Sequence, residues 1–583
     1  MKKRFTILAV MSIFISANAQ SILKKATMDE EGNITVESMA TNEDFSAKFL
    51  DTTFDKILEF AAPSYFIKNT RGVALADLDG DGVEEVIFGI NNILYAMKAD
   101  GSFLFEKDMG KPVLLPPAIA DLDGDGNLEI ALNYGYATTG GAVTVLDNNG
   151  NELPGWPVDF DNHWMINAPA VADVDGDGIM EIVSGERVSG SVGYIHVLKL
   201  DGTPLNENWP VNIGSTPAFT PSVGDVDGNG VKDIVIAGSS TGMYVLDING
   251  EPLPGFPLQE SGVSYSYQSP ILADLDGEGA LEIIGSNHGD NSRFYVMRHD
   301  GTFLDGWPIP LSSWTYSPPT VGEVLAGGLN EIYMGIPNVS FDGSDVPVLY
   351  GLHMDGSNMS GFPVEKNDGG NEGVITLADI NNDGIPEVIF GNNSTDEEGY
   401  GFIHAFSTDG SGQIEGFPIR PRGFTFMNGA VIGDIDNDGQ MDLTALSYTL
   451  NFGADVDSTF ISTYNLNVPY NPDRIIRNGY KGNNTRDGFV EISGFIGTVE
   501  MTLTGVQIFP NPSTGDLNIQ FSNNLKDFTL TVFDLTGRKV YSKTEHNNHQ
   551  SLKSYNMKRI PPGTYIVHLV ADGKMTAFKW IKK

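Results

Sequence analysis

Short apolar runs and acidic turns alternate along most of this chain, and the alternation has a long period. Residues 168–174 run apolar into Asp173-Val-Asp-Gly-Asp-Gly-Ile-Met-Glu181; residues 181–184 lead out of it, 194–200 alternate, Asp201-Gly202 marks a hairpin turn, and Trp209-Pro-Val211 follows. That pattern predicts four short strands joined by tight turns, with little helix. The same succession returns about every fifty residues, so the repeat is the unit of architecture.

The acidic turn keeps its spacing best. Oxygen-bearing residues recur at offsets 0, 2, 4 and 8, with glycine at offset 5. The frames are Asp77, Asp79, Asp81 and Glu85; Asp121, Asp123, Asp125 and Glu129; Asp173, Asp175, Asp177 and Glu181; Asp225, Asp227, Asn229 and Asp233; Asp274, Asp276, Glu278 and Glu282; Asp379, Asn381, Asp383 and Glu387; and Asp434, Asp436, Asp438 and Asp442. An eighth keeps only its ends, Glu323 and Glu331. Calcium takes six to eight oxygens at roughly 2.3–2.6 Å, and alternate residues of a tight loop can aim carboxylates at one point where glycine permits the bend. The closing acid stands at the ninth position rather than the twelfth, so these are calcium loops but not EF-hands. Each frame supplies enough oxygens to fill its ion, which predicts several structural calcium ions rather than a catalytic metal.

An aromatic residue stands 16 to 18 positions ahead of every frame: Phe60, Phe105, Trp156, Trp209, Phe256, Trp307, Phe362 and Phe417, the last six followed by proline. Four-stranded units of this length predict an all-β fold, an eight-bladed β-propeller, with seven blades if the degenerate unit is an insertion. Proline four residues ahead of five frames (Pro117, Pro169, Pro221, Pro270, Pro319) suits an edge strand, so the first strand of each unit should be innermost. The last unit lacks its aromatic-proline turn, and Phe60 has no strand set of its own. Residues 55–62 should therefore supply the outer strand of the last blade and close the ring.

Composition adds an address. Lys and Arg total 35 against 76 Asp and Glu, a net charge of −41. About a third of those acids belong to the seven frames, and the excess argues against nucleic acid or an anionic membrane as partner. There is no cysteine, hence no disulfide framework. Residues 1–19 read as a signal peptide: Lys2-Lys-Arg4, an apolar run over 5–16, and Ala17-Asn-Ala19 before a mature start at Gln20. No later run is long and apolar enough to span a bilayer. The expected domains are an N-terminal segment (20–54), the propeller (55–480), a linker (481–505) and a small Ig-like β-sandwich (506–583).

The repeats resemble the FG-GAP and VCBS-type calcium-binding propeller repeats, the family that includes the integrin α-subunit head. That resemblance implies calcium in the loop between the first two strands of a blade and partners on the opposite face. Residues 506–583 look like the C-terminal sorting domain of type IX secretion, through Phe509-Pro-Asn-Pro512, Val532-Phe-Asp-Leu-Thr-Gly537, Pro562-Gly-Thr-Tyr565 and a Lys-rich end. This implies the type IX machinery as a partner and a secreted or outer-membrane surface location.

No catalytic residue is assigned. Gly238-Ser-Ser-Thr-Gly242 matches G-x-S-x-G, but no helix follows, so a hairpin turn is expected. Aromatic residues at equal positions in the repeat suggest a ligand-binding rim around one end of the channel: Trp164, Tyr265, Trp314, Tyr267, Tyr316, Phe424 and Phe426, with His163 beside them. The competing reading is packing between blades, because repeat-locked aromatics usually serve the repeat. The function expected is a surface or secreted binding and adhesion module for glycan or extracellular protein. The alternatives are a polysaccharide-degrading lyase or hydrolase on the same face, and a non-catalytic scaffold of a surface nutrient-capture complex.

Overall fold

The structure, a computed structural model, describes residues 21–29, 33–41, 54–65, 71–135, 140–160, 163–165, 167–189, 192–265, 268–324, 330–340, 342–451, 456–490, 506–521, 528–534, 539–545, 552–571 and 574–583. The expected signal peptide, residues 491–505 of the expected linker, and Tyr267 lie outside them. The chain divides into two compact units, Met1–Ile496 and Gly497–Lys583.

Among the described residues of the first unit, eight small antiparallel sheets follow one another. Their first strands are Ala74–Ala76, Ala118–Ala120, Ala170–Ala172, Ser222–Gly224, Ile271–Ala273, Thr320–Gly322, Ile375–Ala378 and Ala430–Gly433. We number the sheets 1 to 8 in that order. From sheet 2 to sheet 8 each first strand lies beside the next, and that of sheet 8 lies beside that of sheet 1, so the sheets stand around an axis in a propeller-like arrangement. Every first strand is an edge of its sheet except in sheet 7, where Ile475–Arg477 pairs on its inner side. The degenerate unit builds sheet 6, which has four strands.

Closure follows the sequence. Asp55–Ser64 is the outer strand of sheet 8, paired antiparallel along Asp457–Pro469, so both ends of the repeat region share one sheet. The periodic aromatics staple neighbouring sheets. Trp156, Trp209 and Trp307 are buried, and their indole N–H groups donate to the carbonyls of Leu200, Ile248 and Met354 in the next unit's turn, at 2.7, 3.0 and 2.8 Å. The turn passes so close that a Cβ on Gly155 (φ +96°) would strike the Asp201 carbonyl. Phe60 performs the same task for the closing strand, packing on Phe88, Tyr95 and Phe103 of sheet 1.

Two segments differ from expectation. Residues 481–490, expected to begin a linker, belong with 474–480 to a segment that runs along the inner edges of the first strands. The residue two places ahead of each frame points its free backbone group at this segment. Ile119, Val171, Val223 and Leu272 donate N–H to the carbonyls of Asn484, Thr485, Asp487 and Gly488 at 2.8–2.9 Å. Leu75 O accepts from Asn484 Nδ2, Ile432 N–H donates to Asn478 Oδ1, and Leu377 pairs with Arg477. An unpaired strand edge is costly when buried, and here one stretch of chain satisfies seven of them. Its buried cations do likewise: Arg486 donates to the carbonyls of Pro117, Tyr480 and Asn483, and Lys481 to Pro221 O and Ser222 Oγ. Burial pushes the Lys481 ammonium well below its ordinary pKa.

The N-terminal segment, which is polar and carries no repeat mark, folds as a hairpin of β1 (Ser21–Met28) and β2 (Ile34–Thr41). The strand β1 adds to Ser394–Thr395, in the connection between the second and third strands of sheet 7, at the end of the ring opposite the acidic loops. Fully buried Lys25 donates to Ser340 O at 2.7 Å, and burial lowers its pKa to about 8. Tyr316 OH donates to Asp29 O at 2.7 Å.

The second unit has a three-stranded sheet (Val506–Phe509, Asp516–Phe521, Leu552–Asn556) and a four-stranded one built from Phe528–Asp534, Lys539–Glu545, Gly563–Ala571 and Lys574–Lys582. They enclose Leu517, Ile519, Leu530, Val532, Val567 and fully buried Trp580, the expected sandwich.

Candidate metal loops and the opposite face

Register builds the acidic sites. In every sheet the residue just ahead of the frame pairs with the closing acid: Ala76 with Glu85, Ala120 with Glu129, Ala172 with Glu181, Gly224 with Asp233, Ala273 with Glu282, Gly322 with Glu331, Ala378 with Glu387, Gly433 with Asp442. One oxygen of the closing acid then accepts the backbone N–H at offset 1, as Glu181 Oε2 does from Val174 at 2.8 Å, and the other is left for the loop. The glycine N–H at offset 5 donates to the first carboxylate, Gly178 to Asp173 Oδ2 at 3.1 Å, which curls the loop over itself.

The result is a carboxylate cage. Ligand oxygens of Asp77, Asp79 and Glu85 lie within 4.8 Å of one another, as do those of Asp121, Asp123 and Glu129; Asp173, Asp175 and Glu181; Asp225, Asp227 and Asp233; and Asp274, Asp276 and Glu282. Oxygens on opposite sides of a calcium ion stand roughly 4.6–5.2 Å apart, so the donor set fits calcium in number, hardness and spread. Burial first, and the adjoining frame carboxylates with it, pushes the closing acids Glu181, Asp233, Glu282 and Asp442 up to about 7, and Glu387 to about 9. A bound cation would favour the charged form of these carboxylates and oppose that rise.

Two loops carry a cation of the chain's own. Lys98 Nζ stands 2.6 Å from Asp79 Oδ2 and 3.3 Å from Asp81 Oδ2. Arg474 Nη1 lies 3.1 Å from Asp379 Oδ2, and Asn381 donates its amide to Asp383 and Glu387 within the same loop. Lys98 comes from the same unit as its loop, whereas Arg474 is brought to Asp379 by the axial segment, a pairing that chain spacing does not reveal.

The expected aromatic rim is corrected by burial. Tyr265, Tyr316, Phe424 and Phe426 are at most 5% exposed and cannot stack on a ligand. Tyr265 packs edge-on against Phe219 and Tyr295, and the other three share a core with Ala26 and Met28 of the hairpin. Those three share their core with the protein's own N-terminal segment, while Tyr265 packs within the ring. Trp164 is half-buried beneath the Arg187 guanidinium, 4.1 Å from its ring centre, and Trp314 is half-buried beside the hairpin. His163 hydrogen-bonds one oxygen of buried Glu186, whose other oxygen is 2.7 Å from His196 Nε2. Burial alone would raise the Glu186 pKa, but the two imidazoles hold it below the ordinary value. The G-x-S-x-G stretch is a tight hairpin, Gly238 pairing with Gly242.

Comparison with known proteins agrees with the geometry. A model of the FG-GAP-like repeat matches residues 121–184 and 379–445, and one of the secretion system C-terminal sorting domain matches 507–583. The chain carries FG-GAP-like repeats and a type IX secretion sorting domain. Such a repeat protein is destined for secretion or export to the cell surface. No curated protein matches its sequence. Among solved structures it is similar to the V. cholerae biofilm matrix protein Bap1, with 14% identity, a TM-score of 0.50, and coverage of 76% of this chain and 96% of that one. Quinohemoprotein alcohol dehydrogenase from Comamonas testosteroni (12% identity, TM-score 0.42, coverage 70% and 77%) and the BP39L lectin from Burkholderia pseudomallei (12%, 0.35, 63% and 99%) also match. At these identities the likeness to Bap1 concerns the fold alone.

Proposed function

We propose that this protein is an exported, calcium-loaded, eight-bladed propeller that acts as a binding and adhesion module for extracellular glycan or protein. The observation that carries the reading is the sorting domain at 507–583, attached to a ring whose acidic loops all stand at one end. Calcium at that end stiffens the loops by binding the folded state alone. The other end, where connections differ from sheet to sheet and the hairpin is added, is left to meet a partner. A biofilm matrix protein with a similar fold is consistent with this role.

The test is retention of the exported chain on arrays of plant, algal and host glycans and matrix proteins, in calcium and in chelator, with soluble fragments recorded. Calcium-dependent retention without fragments is the expected outcome. Release of fragments from a polymer would overturn the binding role and direct attention to the His163–Glu186–His196 cluster.

A further inference from the structure

The hairpin does more than cover core aromatics. With residues 289–292, between the second and third strands of sheet 5, and 311–314, which lead into sheet 6, it encloses a groove of about 620 Å3. That is the size of a small-molecule site. All three walls stand at the end opposite the acidic loops.

The lining has a defined chemistry. Trp314 supplies a half-buried indole whose Nε1 is shielded from solvent and has no hydrogen-bond acceptor. The indole therefore meets the groove as an apolar ring rather than as a hydrogen-bond donor. Leu311 extends the apolar wall, while exposed Asp290 and Ser312 offer an acceptor and a hydroxyl on the same side. Asn33 reaches in from the hairpin, its backbone and amide held by Asp29 at 2.7 and 2.9 Å. No Lys, Arg or His is among the described residues of the lining.

We propose that this groove binds a neutral sugar unit of a glycan, with the C–H face of the pyranose on Trp314 and its hydroxyls on Asp290 and Asn33. A pyranose presents both an apolar face and a rim of hydroxyls, which matches an aromatic wall beside acceptors. An anionic sugar would meet two carboxylates and no cation, at a Coulombic cost on a protein of net charge −41. The inference rests on the reading of the protein as a binding module and gives that module a site and a ligand class.

The full exported chain, with calcium present, is titrated calorimetrically with neutral hexasaccharides (β-1,4-glucan, mannan, xylan and galactan) and with hexagalacturonate and alginate oligomers. Wild type is compared with Trp314→Ala and with Asp290→Asn, a surface change that keeps the fold if Trp314→Ala does not. At least one neutral hexasaccharide should bind, with affinity falling ~30-fold or more in Trp314→Ala and several-fold in Asp290→Asn, the size of an interface hot spot and of one hydrogen bond. Neutral-sugar binding unchanged in both variants overturns the groove while leaving a glycan-binding protein. Binding of the acidic oligomers alone, or Trp314-dependent capture of a matrix protein, overturns the ligand class. No binding to any oligosaccharide overturns the inference, and the module's function then stands or falls on matrix-protein retention.

Discussion

The two ends of the ring are built on opposite plans. At one end, a single loop is copied from sheet to sheet, with the closing acid taking the same backbone N–H even in the degenerate unit, where Val324 donates to Glu331 at 3.1 Å. At the other, Gly238 and Gly242 close a tight hairpin in sheet 4, whereas residues 336–345 separate the same two strands in sheet 6 and a foreign hairpin crosses sheet 7. Repetition belongs to the end that needs many carboxylates held against their own repulsion, and irregularity to the end that has no such shared task. The difference teaches that one scaffold can hold a strictly repeated loop on one face and leave the connections of the other free to vary.

The largest effect should come from the strand that serves both. Deleting residues 20–62 removes the hairpin and nearly all of β3 (Asp55–Ser64), opening sheet 8 along its full edge; circular dichroism and proteolysis should report a chain that does not fold. A stable truncated ring would break the closure. Next is calcium itself. Each filled loop should add about 2–3 kcal/mol at a hundredfold excess over Kd, so the melting temperature should rise markedly between chelator and calcium.

Comparing two loops sharpens this. Asp173→Ala should remove part of the calcium response, while Asp379→Ala should destabilise the protein by about 1–3 kcal/mol even in chelator, because Arg474 then loses its carboxylate partner. Equal behaviour of the two variants would erase the distinction between metal-served and arginine-served loops.

In chelator, stability should also fall as pH rises. The closing acids Glu181, Asp233, Glu282 and Asp442 sit at about 7 in the folded chain, above their unfolded values near 4, so the folded state holds more protons across that window and loses the advantage as pH climbs through it. Calcium should flatten or reverse the slope, a contrast that thermal melts from pH 4 to 8 would read. The smallest effect concerns the irregular end. Lys25→Ala should leave the ring's melting nearly unchanged yet speed cleavage within residues 21–41 under limited proteolysis, because the ammonium's bond to Ser340 O pins the hairpin.

Much of this is legible in the sequence. The frames, the aromatic staples and the closing strand are all local signals at a fixed period, and each maps to one structural duty. The rim aromatics failed for a related reason. Periodicity marks Tyr265, Tyr316, Phe424 and Phe426 as equivalent, but it does not tell whether solvent, a neighbouring sheet or the hairpin lies above them. The axial segment left a fainter trace: Arg474, Arg477, Lys481 and Arg486 cluster within a chain otherwise rich in acid, and buried cations are what a bundle of inward-facing carbonyls requires.

By itself, then, the sequence determined the repeat, its strands, the acidic loops with their chemistry, and the export domain, because each depends on residues within one unit or one adjoining turn. Tertiary structure alone decided what fills the axis, which cation stands in the loop at Asp379, and what covers the far face. Those contacts join residues as distant as Leu75 and Asn484 or Ala26 and Asn393. No local pattern encodes such a pairing; it arises when closing the ring brings remote edges, carbonyls and charges to one place where each must find a partner.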